Sequence, residues 1–318
     1  MRSLMVMDPL DRIHVSGDST YVVMLELDRR NTPCWMCTPG QLYARDGRCY
    51  AAATRVRALP EAPWFEVAET VDLELGAFDV VWMRKDPPFD MSYILATYLL
   101  DMAPPSTLVV NDPIGLKLFN EKLWAMQFPE LHPPTLLTGD PRRLRAFVDE
   151  LDGRAVLKPW DGNGGRGVLV TDAADRNLNS MIELMTADGA FVIAQPYLEE
   201  ADAGDKRILL FDGEPVAAML RIPTAKDYRG NMHVGATVEA CDLDARDQHI
   251  CDVLGPHLQR HGQVFVGIDV IGGLLTEINV TSPTGIREIF TLTGQRLERN
   301  LVDRVWQRAE RKSVEGQG

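Results

Sequence analysis

The sequence predicts a parallel-sheet α/β domain followed by smaller α+β units. Short apolar runs alternate with helical stretches through the first 115 residues, the pattern of parallel strands joined by crossovers. Beyond Gly115 strands follow one another closely and several read as hairpins. At 318 residues the chain can bury a substantial core, divided into about two domains or, more finely, three.

"SLMVM" at 3–7 reads as a buried strand, and "STYVVMLELDRR" has helical periodicity with Asp18 or Ser19 as its cap. A strand near 33–38, a third at 78–83, a helix at about 90–102 and the strand "TLVVN" complete the first domain. "GLKLFNEKLWAMQF" reads as one helical stretch, "TLLT" as a strand, and "DPRRLRAFVDEL" as a helix capped by Asp140 with Pro141 in its first position. "AVLKP", "GVLVT", a helix near 177–187 and "FVIAQPYL" form a small α+β unit. "KRILLFDGEPVAAMLRIP" predicts a hairpin across Asp212-Gly213.

Forty-six acidic against 33 basic residues give a net charge of −13, which argues against nucleic acid as a partner, because a phosphate backbone demands a basic footprint. No run of about 18 uncharged apolar residues predicts a membrane span, and no leader pattern precedes the first strand; the expected location is cytoplasmic. Five cysteines do not make a disulfide framework. Cys34 and Cys37 form a C-x-x-C, but Pro33 before it and Pro39-Gly40 after it favour a strand closed by a turn over a redox helix.

"VLKPWDGNGGRGVLV" sets Lys158 and Asp161 before a cluster containing Gly162, Gly164 and Gly165, between two strands. Glycine exposes backbone N–H groups and accepts positive φ, so such a loop can fold over a phosphate as a flap, with Lys158 as a point charge beside it. It is not a Walker loop, since no Gly-Lys-Ser/Thr opens a helix there. Gln195-Pro196-Tyr197-Leu198 leaves a strand for an acidic linker and offers backbone edges and an apolar wall to a planar ligand. In "VFVGIDVIGGLLTEIN" a three-residue loop ending at Leu274 would pair Asp269 with Glu277, whereas a two-residue loop would pair it with Thr276. Glu277 and Asn279 share one strand face, so with Asp269 they would form a hard-oxygen set suited to Mg²⁺ and nucleotide phosphates. Residues 221–239 read as a long polar loop, a candidate lid, with Arg221 and Arg229 as its anion contacts.

Taken in order, "VMDP", "MRKDPPFD" at 83–90, Lys122 in "NEKL", "LKPWDGNGG", "AQPYL", "GDKR", "LRIP", "RGN", "GIDVIG" and "TEINVTSPTGIRE" resemble bacterial-type glutathione synthetase, an ATP-grasp ligase family, over nearly the whole chain. The resemblance implies an ATP-grasp fold preceded by an N-terminal parallel-sheet α/β (pre-ATP-grasp) domain. The domains would be 1–118 on the substrate side, 119–197 as the central lid subdomain and 198–318 as the C-terminal subdomain with the metal site. It implies ATP- and Mg²⁺-dependent ligation of γ-glutamylcysteine to glycine, with Mn²⁺ as a substitute metal, and a homo-oligomer, specifically a homotetramer.

Carried over residue by residue, it implies ATP contacts from Lys122, Lys158, Asp161, Gly162, Gly164, Gly165, Gln195, Tyr197, Leu198, Asp205 and Arg207, and metal ligands Asp269, Glu277 and Asn279. Arg221, Arg229 and Lys158 take the catalytic positions, and Arg84, Asn231, Ser282 and Thr284 the substrate positions. The "HVGATVE" that follows "RGN" departs from the family's glycine-glycine-arginine run. Two other readings are an ATP-grasp carboxylate–amine ligase with a different acceptor amino acid, and a non-catalytic nucleotide-binding regulator.

Overall fold

The computed structural model describes residues 1–162, 164–223 and 237–315. The apolar run at the N-terminus forms β1 (Ser3–Val6), buried at every position. It lies between parallel β2 (Cys34–Cys37) and β6 (Val80–Met83), and β7 (Leu108–Val110) extends the parallel set beyond β6. A strand buried on both faces needs cover on both. On one face Met5, Met36 and Trp82 pack with α1 (Ser19–Arg29) and α9 (Leu297–Glu315); on the other Leu4, Val81 and Met83 pack with α2 (Met91–Leu100). Asp18, not Ser19, caps α1, accepting from the Tyr21 amide at 2.6 Å.

Cys34 and Cys37 sit in β2, where an odd spacing sends their side chains to opposite faces, one into each core cluster. Burial pushes both thiols up to about 12. They cannot act as a pair, and the strand reading of the C-x-x-C holds.

The sequence reading missed an antiparallel extension of this sheet: β3 (Leu42–Arg45), β4 (Arg48–Ala58) and β5 (Phe65–Glu74). β5 is exposed along most of its length, so no apolar alternation marks it. The helical stretch read from Gly115 is also two helices, α3 (Pro113–Leu118) and α4 (Glu121–Ala125). Asn120 breaks it by standing extended and accepting from the amides of Lys122 and Leu123, both at 3.1 Å. A short amide side chain that competes for backbone donors favours caps over helix interiors.

A second sheet is antiparallel, in the order β10 (Leu169–Thr171), β9 (Ala155–Pro159), β11 (Val192–Pro196), β8 (Leu136–Thr138). It is covered by α5 (Pro141–Glu150) and α6 (Leu178–Met185) through Leu144, Val148, Leu178 and Ile182. The third sheet runs β14 (Thr237–Ala240), β13 (Glu214–Ile222), β12 (Asp205–Phe211), β15 (Phe265–Ile271), β16 (Leu274–Asn279). α7 (Ala245–Arg260) and α8 (Ile286–Thr293) pack on it. Among the described residues no helix is long and apolar enough to cross a membrane.

Asn111, at the end of β7, ties the first sheet to the third. Its Nδ2 donates to the carbonyls of Phe265 and Val280, both at 2.8 Å, and its Oδ1 accepts from the amides of Val264 at 2.8 Å and Phe265 at 2.9 Å. All four bonds are buried, so truncation strands backbone groups that water cannot reach. Asn111→Ala should therefore cost about 2–4 kcal/mol in urea denaturation. A loss under about 0.5 kcal/mol, the usual range for an inconsequential surface change, would contradict this role.

Candidate active site

The hairpin β15–β16 turns through two residues, Gly272 and Gly273, both at positive φ (56° and 73°), the shorter of the two loops read from the sequence, yet without the Asp269–Thr276 pairing expected of it. Ile271 then pairs with Leu274 and Val270 with Leu275. A β-bulge follows between Asp269 and Val270, leaving Thr276 as the extra residue and setting Asp269 opposite Glu277. The buried Thr276 hydroxyl donates to the Asp269 carbonyl at 3.1 Å, which fixes the bulge. The Asp269–Glu277 pairing read for the longer loop thus forms on the shorter one.

Strand alternation assembles a charged row on the third sheet. Asp205 and Arg207 are two apart on β12; Arg221 of β13 lies opposite Asp205, and Asp269 of β15 opposite Arg207. Arg207 Nε donates to Asp269 Oδ1 at 2.5 Å and its Nη2 to Oδ2 at 3.0 Å; Arg221 Nη2 lies 3.0 Å from Oδ1, and Asn279 Nδ2 donates to Oδ2 at 3.2 Å. Arg221 also donates through Nε to Asp205. Burial alone would raise the Asp269 carboxyl, but the Arg207 and Arg221 guanidiniums override it and hold the group well below the usual carboxylate range. Asp205 is held above its usual value by burial, even with Arg221 against it.

Two lysines face this row from the second sheet and from α4. Lys122 bridges Glu277 at 3.2 Å and the Gly162 carbonyl, closing the glycine loop onto the third sheet. Burial would depress Lys122, but Glu277 and Glu121 carry it above its usual value. Lys158, on β9, has no ion pair among the described residues, and burial pushes it down to about 8, with Glu277 opposing the shift. Gly164, Gly165 and Gly167 all hold positive φ, the backbone freedom the loop was expected to use.

A cleft of 1580 Å³ lies between the three sheets and takes in Lys122, Lys158, the glycine loop and the charged row. At its far wall Gln195 Nε2 donates to Thr135 Oγ1 at 2.8 Å beside His132, whose imidazole is pushed down to about 4 by burial and by Lys158. Tyr197 and Leu198 line the same wall, the Tyr197 hydroxyl donating to Asp202 and its ring lying 3.9 Å from the Arg154 guanidinium carbon. Asp161 is exposed at the foot of the loop and does not line the cleft.

The opposite end is built by the turn that follows β16. Arg84 is buried and donates to Thr20 Oγ1 at 3.0 Å and to the Pro283 carbonyl at 2.8 Å, so its guanidinium braces the turn. Ser282 and Thr284 line the cleft from the turn itself. Glu121, absent from the sequence reading, accepts from the Thr281 amide at 3.2 Å and hydroxyl at 2.7 Å. Burial raises its carboxyl. Its adjacency to Lys122 in "NEKL" was the only signal available. Arg229 and Asn231, and with them most of the expected lid, lie outside the described residues.

Among the described residues no cluster of three or more His, Cys, Asp and Glu is arranged to hold a metal ion by protein groups alone. Such a donor set still fits Mg²⁺, which is held by one or two carboxylates plus phosphates and water. Glu277 and the Asn279 carbonyl are the more open oxygens, because both Asp269 oxygens are already taken by Arg207, Arg221 and Asn279.

The family described as "Prokaryotic glutathione synthetase, N-terminal domain" matches residues 1–117, and "Prokaryotic glutathione synthetase, ATP-grasp domain" matches residues 121–294. A glutathione synthetase of Thermosynechococcus vestitus is 45% identical over 309 residues, covering 93% of this chain and 97% of that protein. Those of Gloeobacter violaceus (45%, 95% and 96% covered) and Agrobacterium fabrum (42%, 96% and 95%) are similarly close. Among solved structures, D-cycloserine synthetase DcsG superposes with a TM-score of 0.66 at 14% identity, covering 95% of this chain and 99% of that one. The ATP-grasp ligase PsnB with its minimal precursor gives 0.62 at 19%, with the same coverage. Likeness at that identity establishes the ATP-grasp fold.

The depressed Lys158 makes a pH-dependent prediction. Below about 8 its ammonium is charged and attracts phosphate; above that it is neutral and does not. The Kd for ATP, measured by calorimetry, should rise between pH 7 and 9.5. In Lys158→Met it should be weaker throughout and flat across that range; an equal pH-dependent rise in the variant would assign the effect elsewhere.

Proposed function

The chain belongs to the prokaryotic glutathione synthetase family, and from that premise we propose that it joins γ-glutamylcysteine to glycine in the cleft above the Asp269 row. It is an ADP-forming ligase of glutathione synthesis that uses ATP. The observation that carries the finer reading is the convergence of Lys122, Lys158, Glu277 and the glycine loop on one cleft, with Arg207 and Arg221 beneath.

A cysteinyl carboxylate oxygen attacks the γ-phosphorus of ATP, and ADP leaves. The neutral amine of glycine then attacks the acyl carbon, phosphate departs with that oxygen, and the nitrogen loses a proton to give the amide. Little covalent work falls to the protein in the first step; what it supplies is charge and position. Lys122 and Lys158 hold the phosphate oxygens as point charges while the glycine loop donates backbone N–H groups. Gln195, Tyr197 and Leu198 form the wall for the base. Arg221, with Arg229 and Asn231, stabilises the transferring phosphoryl group and the tetrahedral oxygen. Ser282 and Thr284 position the dipeptide, and Arg84 fixes the turn that carries them. Glu277 and Asn279, joined by Asp269 once an arginine gives way, would hold Mg²⁺ (or Mn²⁺), which when bound neutralises phosphate charge. The residues between 221 and 239 exclude water, which would otherwise hydrolyse the acyl phosphate. The active species is a homo-oligomer, a homotetramer by family pattern.

The purified chain with ATP, Mg²⁺ and γ-glutamylcysteine should release ADP and form glutathione only when glycine is added. Turnover with another amino acid and not glycine would point to a ligase with a different acceptor, and no ADP release under any condition to a nucleotide-binding regulator. Glu277→Gln should lower kcat by about a hundredfold or more without lowering Tm, the scale of losing a group that stabilises transition-state charge. Activity within about twofold of the unmodified enzyme would remove the metal role from Glu277.

A further inference from the structure

Glu288 opens the first turn of α8, directly behind the turn that carries Ser282 and Thr284, and lines the cleft beside Gly17, Asp18 and Arg84. Its Oε2 is buried and has no hydrogen-bond partner among the described residues. Its Oε1 lies against the Gly17 backbone, where a β-carbon would approach it to 3.0 Å. The seat is therefore shaped by the missing side chain at position 17. Burial raises the Glu288 carboxyl, opposed first by a hydrogen bond from its own backbone amide and then, from a distance, by Arg207 and Arg287, while Asp18 adds to the rise; among the described residues neither arginine forms an ion pair with it, and Oε2 is left without a donor. Asp18 itself is occupied in capping α1.

A buried carboxylate oxygen with no donor is costly, and a native site that keeps one calls for an explanation. Within a substrate cleft the missing donor is a ligand N–H group. Of the molecules this cleft takes under the function proposed above, ATP brings phosphates that a carboxylate repels and an adenine amino group assigned to the Gln195–Leu198 wall at the other end, whereas γ-glutamylcysteine and glycine each bring one primary ammonium. A carboxylate that accepts from an ammonium gains a charge-assisted hydrogen bond and has its burial offset.

We propose that Glu288, seated against Gly17 at the mouth of the Ser282–Thr284 turn, is the residue that binds the primary ammonium of an amino-acid substrate. The inference rests on the proposed reaction and adds a specificity-determining contact to it. No family-pattern residue for this contact was read from the sequence, although Glu288 closes the "TGIRE" segment.

Steady-state kinetics of Glu288→Gln, an isosteric change that keeps the helix turn, test it. The KM for γ-glutamylcysteine or for glycine should rise about tenfold or more, the weight of a hydrogen bond to a charged group, while the KM for ATP stays within about twofold. A rise for the dipeptide alone assigns its α-ammonium, and the analogue glutaryl-cysteine, which lacks that group, should then be used equally well by the variant and the unmodified enzyme. A rise for glycine alone assigns the acceptor amine. Glu288→Asp, which keeps the charge, should recover part of the loss. Both amino-acid KM values within about twofold, or equal rises for all three substrates, would overturn the assignment. Failure of the reaction itself would show separately, as absence of glutathione formation by the unmodified enzyme in the same assay.

Discussion

The rest of the site depends on the carboxylate of Asp269, which is buried and has both oxygens engaged by Arg207, Arg221 and Asn279. Removing one member of such a group leaves a buried charge unpartnered, which costs about 3–5 kcal/mol in comparable networks. The network spans four neighbouring strands, β13, β12, β15 and β16, and so fixes which face of the third sheet meets the cleft. Glu277 takes its position from the same constraint. The Thr276 bulge brings it opposite Asp269, and Lys122 draws it toward the glycine loop.

Holding a charged row in place requires that the three sheets cannot slide, and three polar residues supply that restraint. Asn111 stitches the end of β7 to β15 and to Val280 just past β16. Glu121 grips Thr281 from α4, directly beside Lys122. Arg84 completes the set from the first sheet by donating to Pro283. The turn carrying Ser282 and Thr284 is thus tied from two sides, so the surface it presents to the cleft is preformed.

Much of this was legible in the sequence because it follows period and chemistry. The β1 run, the Asp140-Pro141 helix start and the Asp212-Gly213 hairpin each carry local signals that the structure repeats. Glu277 and Asn279 stood out because an acid and an amide share one strand face, and the structure places both on the cleft. What escaped depends on distant partners. β5 has almost no buried face to write an alternation, Asn111 is one polar residue whose four partners lie more than 150 positions away, and the Thr276 bulge cannot be told from a longer loop by counting residues. Glu288 is an ordinary helix-opening acid until its neighbour at position 17 is seen to be a glycine pressed against it. The assignments of Arg229 and Asn231 stand on the sequence alone.

The central claim is that the dipeptide carboxylate is activated as an acyl phosphate in this cleft before glycine attacks. Labelling the cysteinyl carboxylate of γ-glutamylcysteine with ¹⁸O tests it most directly, with mass spectrometry of the phosphate released during glutathione formation. Activation of that carboxylate by the γ-phosphoryl group of ATP predicts one ¹⁸O transferred to each phosphate. Phosphate that carries no label while glutathione accumulates would contradict the account.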